Sequence, residues 1–194
     1  MYSSNSLIAS SHIASSILTF LPCSTGSGNA DSAVLNQIIA NFIADKVDLM
    51  IGVATPVAIS MQAETEGTDI PVVFSAVSDP ISCGLVASLD APGANITGTS
   101  DALNTQSIMD MMFAVQPDIQ TVGLLYSNSE ANSTTPIAEA KAYLDAKGIA
   151  YVEKTGNTND EIMTAASSMV GQVDAVFTPT DNVVMAAAAA VSET

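Results

Sequence analysis

The sequence predicts an α/β protein of two lobes, each built around a parallel sheet, and three observations carry that expectation. Short, continuous apolar runs such as Val47–Val53, Ile70–Phe74 and Thr121–Tyr126 end in small polar residues, as fully buried strands do. Stretches of helical period lie between them. Finally, the order helix, Val47-Asp48, apolar run, Thr55-Pro56, helix recurs as helix, Val173-Asp174, apolar run, Thr178-Pro179, helix. The lobes are expected at residues 25–101 and 102–194, joined near Gly98 to Leu103, with residues 1–24 left without an assigned element.

Taken in order, Leu7 to Pro22 is too short to span a membrane, is laced with serine and has no basic flank, so it makes a poor signal peptide. Proline rather than a small residue precedes Cys23, which argues against a lipoprotein cleavage box. Ser24 to Asn29 reads as a polar turn. Leu35, Ile38, Ile39 and Phe42 then fall on one face of a helix ending near Lys46, before the strand Val47–Val53. Ala54-Thr55-Pro56 stops that strand, and a helical pattern resumes over Val57–Glu66. Asn95 to Thr99 is a short strand whose glycine suggests a crossing segment. Ile108, Met111, Met112 and Val115 mark a further helix face, closed by Gln116-Pro117-Asp118.

The second half opens on the strand Thr121–Tyr126 and the polar loop Ser127–Ser133. Thr135-Pro136 supplies an N-cap and first-turn proline for a helix that Gly148 ends. Ile149–Lys154 is a strand, Thr158-x-x-Glu161 a capping box, and Ile162, Met163, Ala166, Met169 and Val170 the buried face of the next helix. Val173–Phe177 is the last strand.

Composition removes several classes of function. Four lysines, no arginine and twenty acidic residues give a net charge of −16, which lacks the positive footprint that nucleic acid or an anionic membrane surface requires. At 48% hydrophobic the chain has the means to bury a sizeable core. Cys23 and Cys83 are too few for a disulfide framework and read as free thiols. No cofactor fingerprint or clustered metal ligands stand out, His12 is the single histidine, and the nine methionines lie largely on helix faces expected to be core. Ser75 lacks the Gly-x-Ser-x-Gly setting of a nucleophile elbow, so an enzyme is not expected.

The stretch Ile70–Leu85 organises the chain. Ligands of open α/β sheets sit beyond the carboxyl ends of the strands, which makes Ser75, Ser78 and Asp79 candidate contacts. Asp79 reads equally well as the cap of a turn.

Ala54-Thr55-Pro56, Ile70 to Pro80, Gly84-Leu85-Val86, Pro92-Gly93-x-Asn95-Ile96-Thr97-Gly98, Leu125 to Ser133 and Thr180-Asp181-Asn182 together resemble the substrate-binding components of ABC importers. The resemblance is specifically to the family that includes tryptophan- and tyrosine-binding lipoproteins. It runs from about Asn29 to Val191 and implies a type I periplasmic-binding-protein-like fold, two Rossmann-like lobes with parallel sheets. On the family pattern the chain is expected to be a fragment, incomplete at both ends, with apolar surface exposed where further elements would pack. The implied role is an extracytoplasmic receptor, periplasmic or anchored as a surface lipoprotein. It would capture a small molecule, an amino acid and an aromatic one by analogy, between its lobes for an ABC transporter permease.

Thr55, Ser75, Ser78, Ser129 and main-chain N–H groups at helix N-termini would hold the ligand's acceptors, and Asp181 or Asp79 its amine. Without arginine, no guanidinium clamp is available. Asn128 and Asn132 are cleft candidates or turn formers, Asn182 follows from the Thr180-Asp181-Asn182 motif, and Asp181 either meets the ligand or caps the last helix. The rival readings are a ligand-sensing domain of a regulator or receptor with the same fold and, further off, a small-molecule α/β enzyme.

Overall fold

The structure is a computed structural model that describes residues 6–10, 23–26 and 32–193. It divides into two units, Met1–Ala102 and Leu103–Thr194. In the first, strands β1 (Ser6–Ser10) and β2 (Cys23–Gly26) are followed by helix α1 (Ser32–Ala44), β3 (Leu49–Val53), α2 (Thr55–Thr65), β4 (Val72–Val77) and β5 (Ile96–Ser100). The strands form one parallel sheet in the order β2-β1-β3-β4-β5. Residues 1–24, to which the sequence reading gave no element, thus carry β1 and the start of β2, and Ser24 to Gly26 is strand rather than turn. Leu7-Ile8-Ala9 is too short a run among serines to announce itself, yet in the sheet it lies between β2 and β3. His12 and residues 27–29 of the expected turn lie outside the described residues.

Helix α1 forms as expected, burying Leu35, Ile39 and Phe42 against Val57, Ala58 and Met61 of α2 and Met50, Val72 and Phe74 of the strands. Helix α2 starts two residues earlier than its apolar pattern, at Thr55, because Pro56 occupies its first turn, where the missing N–H has no helical partner to lose. The β3 and β4 strands run parallel, Met50 opposite Val72 and Val53 opposite Ser75. Gly98 allows a close approach between strands: a Cβ there would collide with the Phe74 carbonyl oxygen, so only glycine lets β5 lie this near β4.

The second unit contains α3 (Thr105–Val115), β6 (Thr121–Tyr126), a 3₁₀ turn at Ala131–Ser133, α4 (Thr134–Lys147), β7 (Ala150–Thr155), α5 (Asn159–Met169), β8 (Ala175–Phe177) and α6 (Asn182–Ser192). Its parallel sheet has the order β7-β6-β8. Val122 and Leu124 of β6 pack with Met109, Ile137, Ala140 and Leu144 of α3 and α4. Leu125 packs with Ile162, Ala166, Met169, Val184 and Ala187 of α5 and α6. The sheet is therefore covered on both faces, which explains why its strands read as unbroken apolar runs.

Two local expectations are corrected. Of the predicted α3 face, Ile108, Met111 and Val115 are exposed, Met111 at 65% and Val115 at 82%, whereas Met112 is partly buried against the core and Met109 is fully buried. Residues 108, 109 and 111–115 are all apolar, so periodicity had no polar side to choose against. Helix α4 begins at Thr134 rather than after Thr135, preceded by the 3₁₀ turn, because Ser133 is drawn inward to Asp181. Gly148 ends α4 at φ 68° as expected, and Thr158 accepts from the Glu161 N–H at 3.3 Å.

Candidate ligand-binding site

Both sheets share a feature that follows from strand order. The chain's first strand in each unit has its second on one side and its third on the other, so the connections leave in opposite directions and open a crevice at the carboxyl ends. In the first unit β3 stands at that switch point, and in the second β6 and β8 flank it.

At the carboxyl rim of the first sheet, Thr55 is buried in the first turn of α2 and Ser75 is half-buried on β4, with the Ala54 N–H donating to the Ser75 carbonyl at 3.0 Å. Helix α2 has no side-chain cap, and Ala54 before it has φ 81° and ψ 153°, a region that glycine alone enters at low cost. Ala76, at the irregularity where β4 shifts register against β5, has φ 54°. Alanine gives no warning of such backbone, so sequence reasoning missed both positions. Ser78 is buried and its carbonyl accepts from Ser100 Oγ at 3.0 Å. Asp79 caps the turn that follows: its Oδ1 accepts from the Ser82 N–H at 3.0 Å and its carbonyl from the Cys83 N–H. Cys83 is a free thiol pushed above its ordinary range by burial, whereas the side chain of Cys23 is outside the described residues.

The rim of the second sheet is a continuous polar network. Asp181 is fully buried: its Oδ2 accepts from the Ser127 N–H and from Ser133 Oγ, both at 2.7 Å, and its Oδ1 accepts from the Val184 N–H at 3.0 Å. It caps α6 and holds the end of β6 at once. Glu130, 5% exposed, accepts at Oε2 from Asn132 Nδ2, the Asn182 N–H and Asn182 Nδ2 at 3.1, 3.0 and 2.8 Å. Burial, more than the neighbouring Asp181 charge, pushes its carboxyl above the usual range, although the donors of Asn182 and Asn132 pull the other way. Asn132 also donates to the Thr180 carbonyl at 2.6 Å. Ser127 Oγ meets Ser129 Oγ at 2.7 Å and donates to Asn157 Oδ1 at 3.0 Å.

The predicted residues therefore separate by direction. Asn128 and Ser129 are exposed on the rim and Asn182 is half-buried there, while Asn132 and Asp181 lie inside and hold the loops. Asn128 Nδ2 reaches Thr155 Oγ1 at 3.1 Å, at the end of β7. Ser127, Glu130, Ser133 and Asn157 were not singled out from sequence. The Leu125–Ser133 motif marked the stretch, and tertiary packing decided which of its side chains turn inward. Tyr126 donates to Glu153, which Lys141 holds below the usual carboxylate range, and burial and that bond push the phenol up to about 12.

Among the described residues no cluster of three or more His, Cys, Asp or Glu could hold a metal ion, and no helix is long and apolar enough to cross a membrane. The rims offer hydroxyls, amides and main-chain N–H groups, a set suited to reversible recognition of a small polar molecule.

Parallel α/β units of this kind, with polar rims at the strand ends, have the type I periplasmic-binding-protein-like fold of solved solute-binding proteins. A family profile described as "ABC transporter substrate binding protein" matches residues 22–194. The chain belongs to the ABC transporter substrate-binding protein family. It is 35% identical over 164 residues to a tyrosine-binding protein of Clostridioides difficile (strain R20291), covering 84% of this chain and 47% of that protein. The chain thus spans about half the length of that curated relative. A solved structure from Streptococcus pneumonia, described as the ABC domain in complex with L-Trp, superposes with a TM-score of 0.89 at 26% identity, covering 100% of this chain and 70% of that one. The ligand-free, open structure of a Clostridium difficile substrate binding protein with adhesive properties is similar at a TM-score of 0.60 and 28% identity, over 99% of this chain and 70% of that one.

Proposed function

We propose that this chain captures an amino acid, an aromatic one such as tryptophan or tyrosine, outside the cytoplasm for delivery to the permease of an ABC importer. One observation carries the reading: polar rims stand at the carboxyl ends of both sheets, in a chain whose whole length aligns with a protein described in complex with L-Trp. The relative described as tyrosine-binding supports the same ligand class.

In this reading Thr55, Ser75, Ser78 and the first-turn N–H groups of α2, which no side chain caps, take the ligand carboxylate. Asn128, Ser129 and Asn182 supply the second set of polar contacts. The amine falls to Asp79 and to carbonyl groups of the rims, because Asp181 is fully buried and already holds three donors of the chain itself. Asn132 and Asp181 then serve the site by holding the loops on which its contacts stand.

Calorimetric titration of the chain with L-tryptophan, L-tyrosine, L-leucine and L-rhamnose tests this. Saturable binding of the aromatic amino acids, weakened roughly tenfold or less by Ser75→Ala or Asn128→Ala as for one hydrogen bond each, is the expected result. Folded chain that binds rhamnose and no amino acid would overturn it.

A further inference from the structure

The loop after β7 brings Asn157 onto the rim of the second sheet, just beyond the carboxyl end of that strand. Its backbone is held from both sides. The Gly156 N–H extends the strand pairing by donating to the Tyr126 carbonyl at 3.2 Å, and the Asn157 N–H donates to Glu161 Oε2 at 2.7 Å. Gly156 also lets the loop lie on the first turn of α5. A Cβ there would stand 2.6 Å from the Ile162 nitrogen and 2.7 Å from the Glu161 carbonyl carbon, both of them backbone atoms.

The side chain is oriented as firmly. Asn157 Oδ1 accepts from Ser127 Oγ at 3.0 Å and from the Ser129 N–H at 3.2 Å. A hydroxyl can give or take a proton, but a main-chain N–H only donates, so the amide cannot be turned round: its nitrogen would then face the Ser129 N–H. Nδ2 is thereby fixed on the other branch of the amide, in an exposed residue, and it donates to no group among the described residues. The neighbouring amides are engaged within the chain, Asn128 Nδ2 with Thr155 Oγ1, Asn132 Nδ2 with Glu130 and the Thr180 carbonyl, and Asn182 Nδ2 with Glu130. A donor held in place this way has lost its rotamer freedom before any ligand arrives, and that preorganisation is what lets one hydrogen bond add most to affinity.

We propose that Asn157 is a further ligand-binding residue, its Nδ2 donating to a carboxylate oxygen of the bound amino acid; the inference rests on the functional reading above. The chemistry of the ligand selects the group. In tryptophan the ammonium and the indole N–H donate, and the carboxylate oxygens are what accept. Asp160 and Glu161 on the first turn of α5 offset the attraction of that helix end for an anion, so the directed N–H of Asn157 is what this loop offers. Because Oδ1 of the same residue carries the Ser129 N–H, the contact also couples the β7–α5 loop to the β6–α4 loop on which Asn128 and Ser129 stand.

Calorimetric titration of the wild-type chain, Asn157→Asp and Asn157→Ala with L-tryptophan and L-tyrosine tests this. Aspartate keeps an oxygen for the Ser127 hydroxyl and the Ser129 N–H and removes only the outward N–H. The expected result is an Asn157→Asp chain that melts close to wild type yet binds L-tryptophan at least about tenfold more weakly, with the loss persisting in high salt. An Asn157→Asp chain that binds like wild type, whether or not Asn157→Ala is weakened, would leave Asn157 as a brace for Ser129 and overturn the proposal. A loss that high salt abolishes would overturn it too, being the mark of distant charge repulsion. Wild-type chain that binds neither amino acid would instead overturn the functional reading, and this inference with it. Should Asn157→Asp not fold, magnetic resonance of wild-type chain isotope-labelled at asparagine decides. The side-chain NH2 signal missing from Asn157→Ala is expected to shift as L-tryptophan is added, and a signal unmoved at saturation rejects the idea.

Discussion

Asp181 accepts hydrogen bonds from the main-chain N–H groups of Ser127 and Val184 and from the Ser133 hydroxyl, with none of its surface exposed. Of the two roles read for Asp181 in the sequence, the helix cap is the one that Asp181→Ala tests through stability. Removing the carboxylate leaves three buried donors unpaired, and the loss should be at least about 2 kcal/mol by urea unfolding, with Asp181→Asn costing less. Ala54 makes the opposite case. Its φ of 81° with ψ of 153° stores about 1–3 kcal/mol of strain, from which the chain entropy of glycine subtracts about 0.5–1. Ala54→Gly should raise stability by roughly 1 kcal/mol; a loss measured by the same unfolding curve would refute the strain.

At the scale of elements, α3 is the sharpest test of which helix face is core. Met109 is fully buried and Met111 is 65% exposed, although both belong to the same apolar run. Met109→Ala should cost about 2–4 kcal/mol and Met111→Ala less than about 0.5, the reverse of what the predicted stripe would give. Equal effects would show that the helix is turned otherwise. Gly98→Ala should be disruptive by about 1–3 kcal/mol, because the new Cβ meets a carbonyl oxygen fixed in the β4 ladder and cannot be relieved by rotating a side chain. The strands, most helices and the two helix ends at Thr158 and Gly148 were legible in sequence, since burial on both sheet faces and cap chemistry leave local signatures. Strands β1 and β2 were not, because short runs interrupted by serine carry no periodic signal of their own.

For the whole molecule, a net charge of −16 with only four basic residues means that self-repulsion opposes the compact state. Raising sodium chloride from low to physiological concentration should therefore raise the thermal midpoint by screening surface acids. A midpoint that falls with salt would mean that the lysine pairs outweigh the repulsion.

By itself the sequence determined the class of fold, the parallel character of the sheet in each half, the stretches that form the rims and the family to which the chain belongs. All of these depend on local pattern: buried runs, helical period, turn residues and motif order. Only the tertiary structure decided the roles within the Leu125–Ser133 and Thr180–Asn182 motifs, placing Asn128 and Ser129 at the surface and Glu130, Asn132, Ser133 and Asp181 inside. A polar side chain in a loop reads the same in sequence whether it meets solvent, a ligand or a buried N–H. The difference arises from partners up to 54 positions away, as when the Ser127 N–H closes on Asp181, and those partners exist only once the strands have paired.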